Sequence, residues 1–148
     1  MLYLEDLHVG QRFVSGARAV TAEEIKAFAG QFDPQPFHVD EAAAEASFFG
    51  GLAASGWHTA AITMRLLVDG GLPLAGGAIG AGGQLSWPRP TRPGDVLRAE
   101  SVIEKITPSR SRPDRGMLTV RTETKNQNDE IAQVFVMNVI AFRRPAEG

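Results

Sequence analysis

The chain has no cysteine among its 148 residues, which excludes disulfides, thiolate metal sites and a cysteine nucleophile. A basic excess is missing too. The net charge is -2 and the pI about 5.9, so no bulk positive field exists for nucleic acid, and large polyanions are not expected as partners, although local arginine clusters suit a small anionic ligand. No apolar run approaches membrane-spanning length, and the opening "MLYLEDLHVG" is acidic with no basic leader region. A protein that is neither secreted nor inserted in a membrane is expected, with the cytoplasm as its default compartment. Histidine is scarce, at three residues, so the placing of each imidazole is informative.

What is present is ordinary globular material. Apolar residues make up 43% of the chain and charged residues 22%, which fits one domain over residues 1–148 with a sizeable core. Gln11 to Val20 reads as extended. "TAEE" then offers Thr21 as an N-cap with Glu24 three residues on, and Ile25, Phe28, Ala29 and Phe32 recur at helical spacing. Asp40 is placed to cap a second helix, "EAAAEASFF", ended by Gly50 and Gly51. A third helix, Ser55 to Asp69, is apolar around most of its circumference, as in a buried helix.

Beyond it the period changes. "GGLPLAGGAIGAGG" reads as a flexible connection, because a glycine-rich stretch that follows a helix and precedes a strand lacks the setting of a nucleotide-binding loop. Gln84–Trp87, Val96–Ile106, Met117–Lys125 and Ile131–Phe142 read as strands. Their connections are too short for helical crossovers, so an antiparallel meander is expected. Leu118, Val120, Thr122 and Thr124 share one side. The last strand is apolar on both faces, so one face is expected to take the apolar helix and the other a second subunit.

The stretch "FDPQPFHVDE" carries the chemistry. Pro34 and Pro36 push Asp33 and Gln35 out of helical geometry, giving a stiff segment with an acid and an imidazole. Alone, the pair fits a structural role: Asp33 capping a turn and His38 packing beside Phe37. The two prolines, the alanine-rich helix that follows and "ASGW" in order after it favour function. A carboxylate and an imidazole so placed can grip one water from two sides. Gly56 at a helix start offers an N–H to an oxyanion, or simply permits close packing behind Ser55 as an N-cap.

The segment "FAGQFDPQPFHVDEAAAEASFFGGLAASGWHTA", with the later "SWPRPTRPGDVL", resembles the MaoC-like dehydratase family, which includes the (R)-specific enoyl-CoA hydratases. The resemblance implies an α+β hot-dog fold, a curved antiparallel sheet wrapped around a long central helix, commonly as a homodimer. It implies Asp33 and His38 as the catalytic pair, Gly56 as the residue whose N–H binds the thioester carbonyl, and water addition or removal across the C2=C3 bond of an enoyl-CoA. Coenzyme A then belongs to the substrate, with no other cofactor and no metal. Three positions depart from the family: Gln35 where asparagine is frequent, Ser55 where histidine is, and Met64 where a serine can stand near the aspartate. Thr63 is a candidate substitute for that serine.

Other readings are weaker. His58 is expected in the core or an interface, and His8 at the surface. A Ser55, His58, Asp69 triad fails because Asp69 lies too far down the same helix, and His38, Asp40 and His58 match no metal-ligand spacing. Trp57 and Trp87 are read as packing residues. Arg89, Arg92, Arg110, Arg112 and Arg115 are solvated surface groups or contacts for coenzyme A phosphates. Two rival functions remain: a hot-dog acyl-CoA thioesterase, and a non-catalytic acyl-CoA-binding or assembly subunit.

Overall fold

The computed structural model describes residues 1–147; Gly148, the last residue of the expected domain, lies outside the described residues. Five strands, β1 (Arg12–Ala19), β2 (Ile79–Ser86), β3 (Val96–Pro108), β4 (Arg115–Lys125) and β5 (Ile131–Phe142), form one antiparallel sheet in the order β1-β3-β4-β5-β2. Between β1 and β2 run four helices: α1 (Ala22–Phe32), α2 (Pro36–Val39), α3 (Glu41–Glu45) and α4 (Gly56–Leu66), the last continuing into a π turn, Leu67–Gly71.

Alternation in β4 sets the two faces of the sheet. Leu118, Val120, Thr122 and Thr124 are fully buried, as the period of two requires of residues on one face. They meet Leu97 and Ile103 of β3, Met137 and Val139 of β5, and Ile62, Leu66 and Leu67 from the end of α4. Hydroxyl groups on this inner face find partners, as buried polar atoms must. Ser101 bonds Thr122 at 2.8 Å and Thr63 bonds Thr124 at 2.6 Å.

Several expectations are refined. Thr21 caps α1, its hydroxyl accepting from the Glu24 N–H at 3.1 Å, while the Glu24 carboxylate turns to Arg18. The helix after Asp40 stops at Glu45, although Asp40 does cap it through the Ala43 N–H. The third expected helix starts at Gly56 and is buried on one side only: Trp57 and Val68 are 60% and 67% exposed, and Met64 is exposed too. The sheet covers one flank of α4, and no other described element covers the opposite one.

The glycine-rich stretch is not all loop, since β2 begins at Ile79. Its small residues serve strand pairing. A Cβ on Gly83 would lie 2.4 Å from the Val136 carbonyl oxygen of β5, and Gly82, with φ +136°, sits beside the register shift between the two strands. The meander holds for β3, β4 and β5, but β2 lies on the far side of β5. Residues 87–95 must therefore cross three strand spacings, about 14 Å, to reach β3. That crossing brings Trp87 and Thr91 over the start of α4, where the Thr91 carbonyl accepts from the Ala54 N–H at 2.9 Å.

Leu118 is fully buried in this packing. Leu118→Ala is expected to destabilise the fold by about 2–5 kcal/mol, measured as a lower urea midpoint by circular dichroism with an unchanged denaturant slope.

Candidate active site

The end of α1 and the start of α4 hold the two sides of the site. Asp33 is the C-cap of α1, with φ -153° and ψ 65°, and Gln35 is extended at φ -88° and ψ 148°. Both are non-helical, as a following proline dictates. Pro36 then takes the first position of α2, where its missing N–H costs nothing. His38 consequently stands on a single helical turn rather than on the stiff loop expected from the sequence. Backbone bonds fix that turn: the Ala53 N–H donates to the Phe37 carbonyl at 3.2 Å, and the Ala53 carbonyl accepts from His38 Nδ1 at 2.6 Å.

This second bond decides the tautomer. A carbonyl only accepts, so Nδ1 carries the hydrogen and Nε2 of the neutral ring is a free base. Nε2 lies 3.3 Å from Asp33 Oδ2. His38 is buried, whereas the Asp33 side chain retains 18% exposure. Two donors hold the carboxylate: Ser55 Oγ to Oδ2 at 2.7 Å and Gln35 Nε2 to Oδ1 at 2.6 Å. Burial alone would raise the Asp33 pKa, but the hydrogen bonds from Ser55 and Gln35, with the nearby His38, outweigh it and hold the carboxyl below its ordinary value.

A cavity of about 730 Å³ opens beside the pair, lined by His38 and Gly56 and walled by Phe37, Phe49, Trp87 and Pro90 among others. The Gly56 N–H, first in α4, has no hydrogen-bond partner among the described residues. A Cβ on Gly56 would fall 2.6 Å from the Trp87 ring, so glycine is required here for packing as well as for an open approach. The Trp87 indole N–H donates to Gln133 at 2.9 Å, and Gln133 is fully buried.

The structure thus brings Asp33, His38 and Gly56 to one place, with Arg89 and Arg92 lining the same cavity, and separates other candidates from it. The Thr63 hydroxyl is committed to Thr59, Thr124 and Gln133, so it does not replace a serine beside Asp33. Ser55 takes that part instead, and it does not cap α4 with its side chain as an ordinary N-cap would. Nothing in the sequence near Ser55 signals a bond to a residue 22 positions earlier. Trp57 is exposed and packs edge-on against Trp87, with centroids 5.4 Å apart.

His58 is a core residue, stacked on Phe28 at 4.6 Å, and burial lowers its pKa. No group of three or more histidines and acids suited to a metal ion occurs among the described residues. Arg92 donates to the carbonyls of Phe49, Gly51 and Leu52 and so braces a cavity wall. Arg89 pairs with Glu130 at 2.9 Å. Arg110 and Arg115 line a separate groove at the β3–β4 connection.

A single antiparallel sheet carrying one helix across its inner face, with an acid and an imidazole meeting at that helix's start, defines a hot-dog protein with a hydratase-type site. A family model described as a MaoC like domain matches residues 7–128. The chain belongs to the MaoC-like dehydratase family. A crystal structure of the MaoC-like dehydratase from Rhodospirillum rubrum is 63% identical and has a TM-score of 0.97, covering 99% of this chain and 100% of that one. The (R)-hydratase from A. caviae involved in PHA biosynthesis is 26% identical with a TM-score of 0.73, covering 95% and 99%. YdeM of Bacillus subtilis (strain 168), an uncharacterised protein, is 35% identical over 129 residues, which is 85% of this chain and 89% of that protein. No helix among the described residues is long and apolar enough to cross a membrane.

A depressed folded-state pKa means that Asp33 adds stability above its unfolded pKa, roughly 3.9, and that this contribution is lost as pH falls through the folded value. Stability should therefore rise with pH more steeply across that window in the wild type than in Asp33→Asn, as read from urea unfolding between about pH 2.5 and 6.

Proposed function

We propose that the chain, acting as one domain, adds water to, or removes it from, the C2=C3 bond of an enoyl-CoA thioester, with Asp33 and His38 as the acid–base pair. The observation that carries this reading is the 3.3 Å approach of Asp33 Oδ2 to a tautomerically fixed His38 Nε2 beside a cavity that also holds the Gly56 N–H. The Rhodospirillum protein is a MaoC-like dehydratase and the A. caviae protein an (R)-hydratase, which supports this reading.

Two facing acceptors suit a water that donates one hydrogen to each. Its oxygen attacks C3 while one proton passes to the pair, and the electrons of the double bond move toward the thioester oxygen. The Gly56 N–H, at the positive end of α4, meets that developing charge. The proton held by the pair is then delivered to C2, so hydroxyl and hydrogen complete one water. Dehydration runs the same steps backward. Proton transfers and an enolate suffice, and coenzyme A enters as part of the substrate. Coenzyme A thioesters are held inside cells, which makes the cytoplasm the compartment this reading implies.

The assembly we propose is a homodimer. β2 lies at a sheet edge with its outer backbone unpaired, and the uncovered flank of α4 and the π turn after it presents Trp57, Met64 and Val68. An exposed apolar stripe and an open strand edge are each characteristic of an interface. Light scattering should return twice the 15.9 kDa chain mass, and Trp57→Glu should shift it toward a single chain.

The activity is tested by the loss of conjugated absorbance with a panel of trans-2-enoyl-CoA substrates, with free thiol followed in parallel. Wild type should consume the double bond without releasing thiol. His38→Ala and Asp33→Asn should each lower kcat by about 10²–10⁴-fold while keeping the wild-type circular dichroism spectrum. Thiol release would move the assignment to a thioesterase.

A further inference from the structure

We propose that the Ser55 hydroxyl is the positioning group of this site: by donating to Asp33 Oδ2 instead of capping α4, it aims the carboxylate at His38 and keeps its own oxygen turned away from the helix end that meets the substrate. The inference rests on the hydration reading for its catalytic consequence, but its structural half stands apart from that reading.

Serine at an N-cap ordinarily turns its oxygen inward to accept from the second or third helical N–H. Here the backbone of Ser55 does the work of an N-cap, since its carbonyl accepts from the N–H groups of His58 and Thr59 at 2.9 and 3.1 Å. Its side chain makes no capping bond, although the residue is fully buried. The single hydroxyl hydrogen goes to Asp33 at 2.7 Å. An oxygen turned inward would set a partial negative charge against the helix end that is to receive an enolate oxygen. Turned outward, it leaves that end to the substrate and strengthens a carboxylate instead.

The Oδ2 atom that Ser55 holds is the one facing His38 Nε2. The other carboxylate oxygen is held by Gln35, which is exposed. Water competes for an exposed amide but not for a dry hydroxyl, so Ser55 is the rigid half of the clamp. Its bond also joins the end of α1 to the start of α4, fixing the carboxylate relative to Gly56, the next residue along. His38, from α2, is the ionisable group facing Asp33. From α4 the nearest is His58, which is stacked on Phe28, and Glu24 and Arg18 act on His58.

The test uses the full chain as wild type, Ser55→Ala and Gln35→Ala. The Asp33 carboxyl is titrated by ¹³C NMR, its signal assigned by its absence from Asp33→Asn. Ser55→Ala should raise the Asp33 midpoint. It should also lower kcat on the order of tenfold to a hundredfold, with a smaller change in KM because the Gly56 N–H is untouched. Gln35→Ala should leave the midpoint still below the ordinary carboxylate value, because Ser55 remains. An unchanged midpoint in folded Ser55→Ala, or a midpoint brought to the ordinary value by Gln35→Ala alone, would overturn the proposal. If wild type hydrates no enoyl-CoA, the hydration reading fails, and the titration still decides whether Ser55 holds Asp33.

Discussion

A five-stranded sheet has one inner face to bury, and among the described residues α4 is the α-helix that runs across it. The packing of Ile62, Leu66 and Leu67 against Leu97, Leu118, Val120 and Met137 is therefore the constraint on which the other elements depend. Each of these side chains contributes on the order of 1.5–3 kcal/mol by leaving water. Since Leu66 and Leu67 lie at the far end of α4, the apolar grip is strongest away from the site. The other end is held by polar bonds, Thr59 to Thr91 and Ser55 to Asp33, and the Thr63 to Gln133 bond lies between the two ends. Apolar contact tolerates small slides, whereas a hydrogen bond specifies a direction. The chemistry stands at the specified end.

Around that end the chain returns three times. The α1–α2 junction brings Asp33 and His38, the segment before α4 brings Ala53 and Ser55, and the crossing from β2 to β3 brings Trp87 and Thr91. The last of these follows from topology, because β2 pairs with β5 and the chain must recross the sheet to reach β3. A simple four-strand meander would leave the start of α4 without Trp87. The wall beside Gly56 is thus a consequence of strand order.

Much of this was legible in the sequence, for a physical reason in each instance. Proline acts locally, so the geometry of Asp33 and Gln35 could be read from Pro34 and Pro36. Alternation in β4 is a local period, and it fixed the buried set Leu118, Val120, Thr122 and Thr124. The resemblance to MaoC-like proteins singled out Gly56, whose packing half is seen against Trp87 and whose binding half belongs to the proposed function. What escaped was non-local. Glycines 82 and 83 looked like loop because the oxygen that excludes a side chain from Gly83 belongs to Val136, more than fifty residues on. Ser55 looked like an ordinary cap because its partner lies on another helix. The apolar circumference of α4 was read as burial, whereas one chain can cover only one flank of it.

Two histidines of this chain are buried, and burial does not tell them apart. Their nitrogens do. His58 lies flat against Phe28 with Nδ1 buried and without a partner, and desolvation disfavours its charged form, so it behaves as an aromatic disc. His38 has Nδ1 committed to a carbonyl and Nε2 turned to a carboxylate that is itself held by two donors. In that setting a proton arriving at Nε2 finds a negative charge 3.3 Å away, and the base it binds cannot rotate or change tautomer without breaking the Ala53 bond. An imidazole that only filled space would not require this arrangement, whereas one that must take and return a proton at a fixed place does.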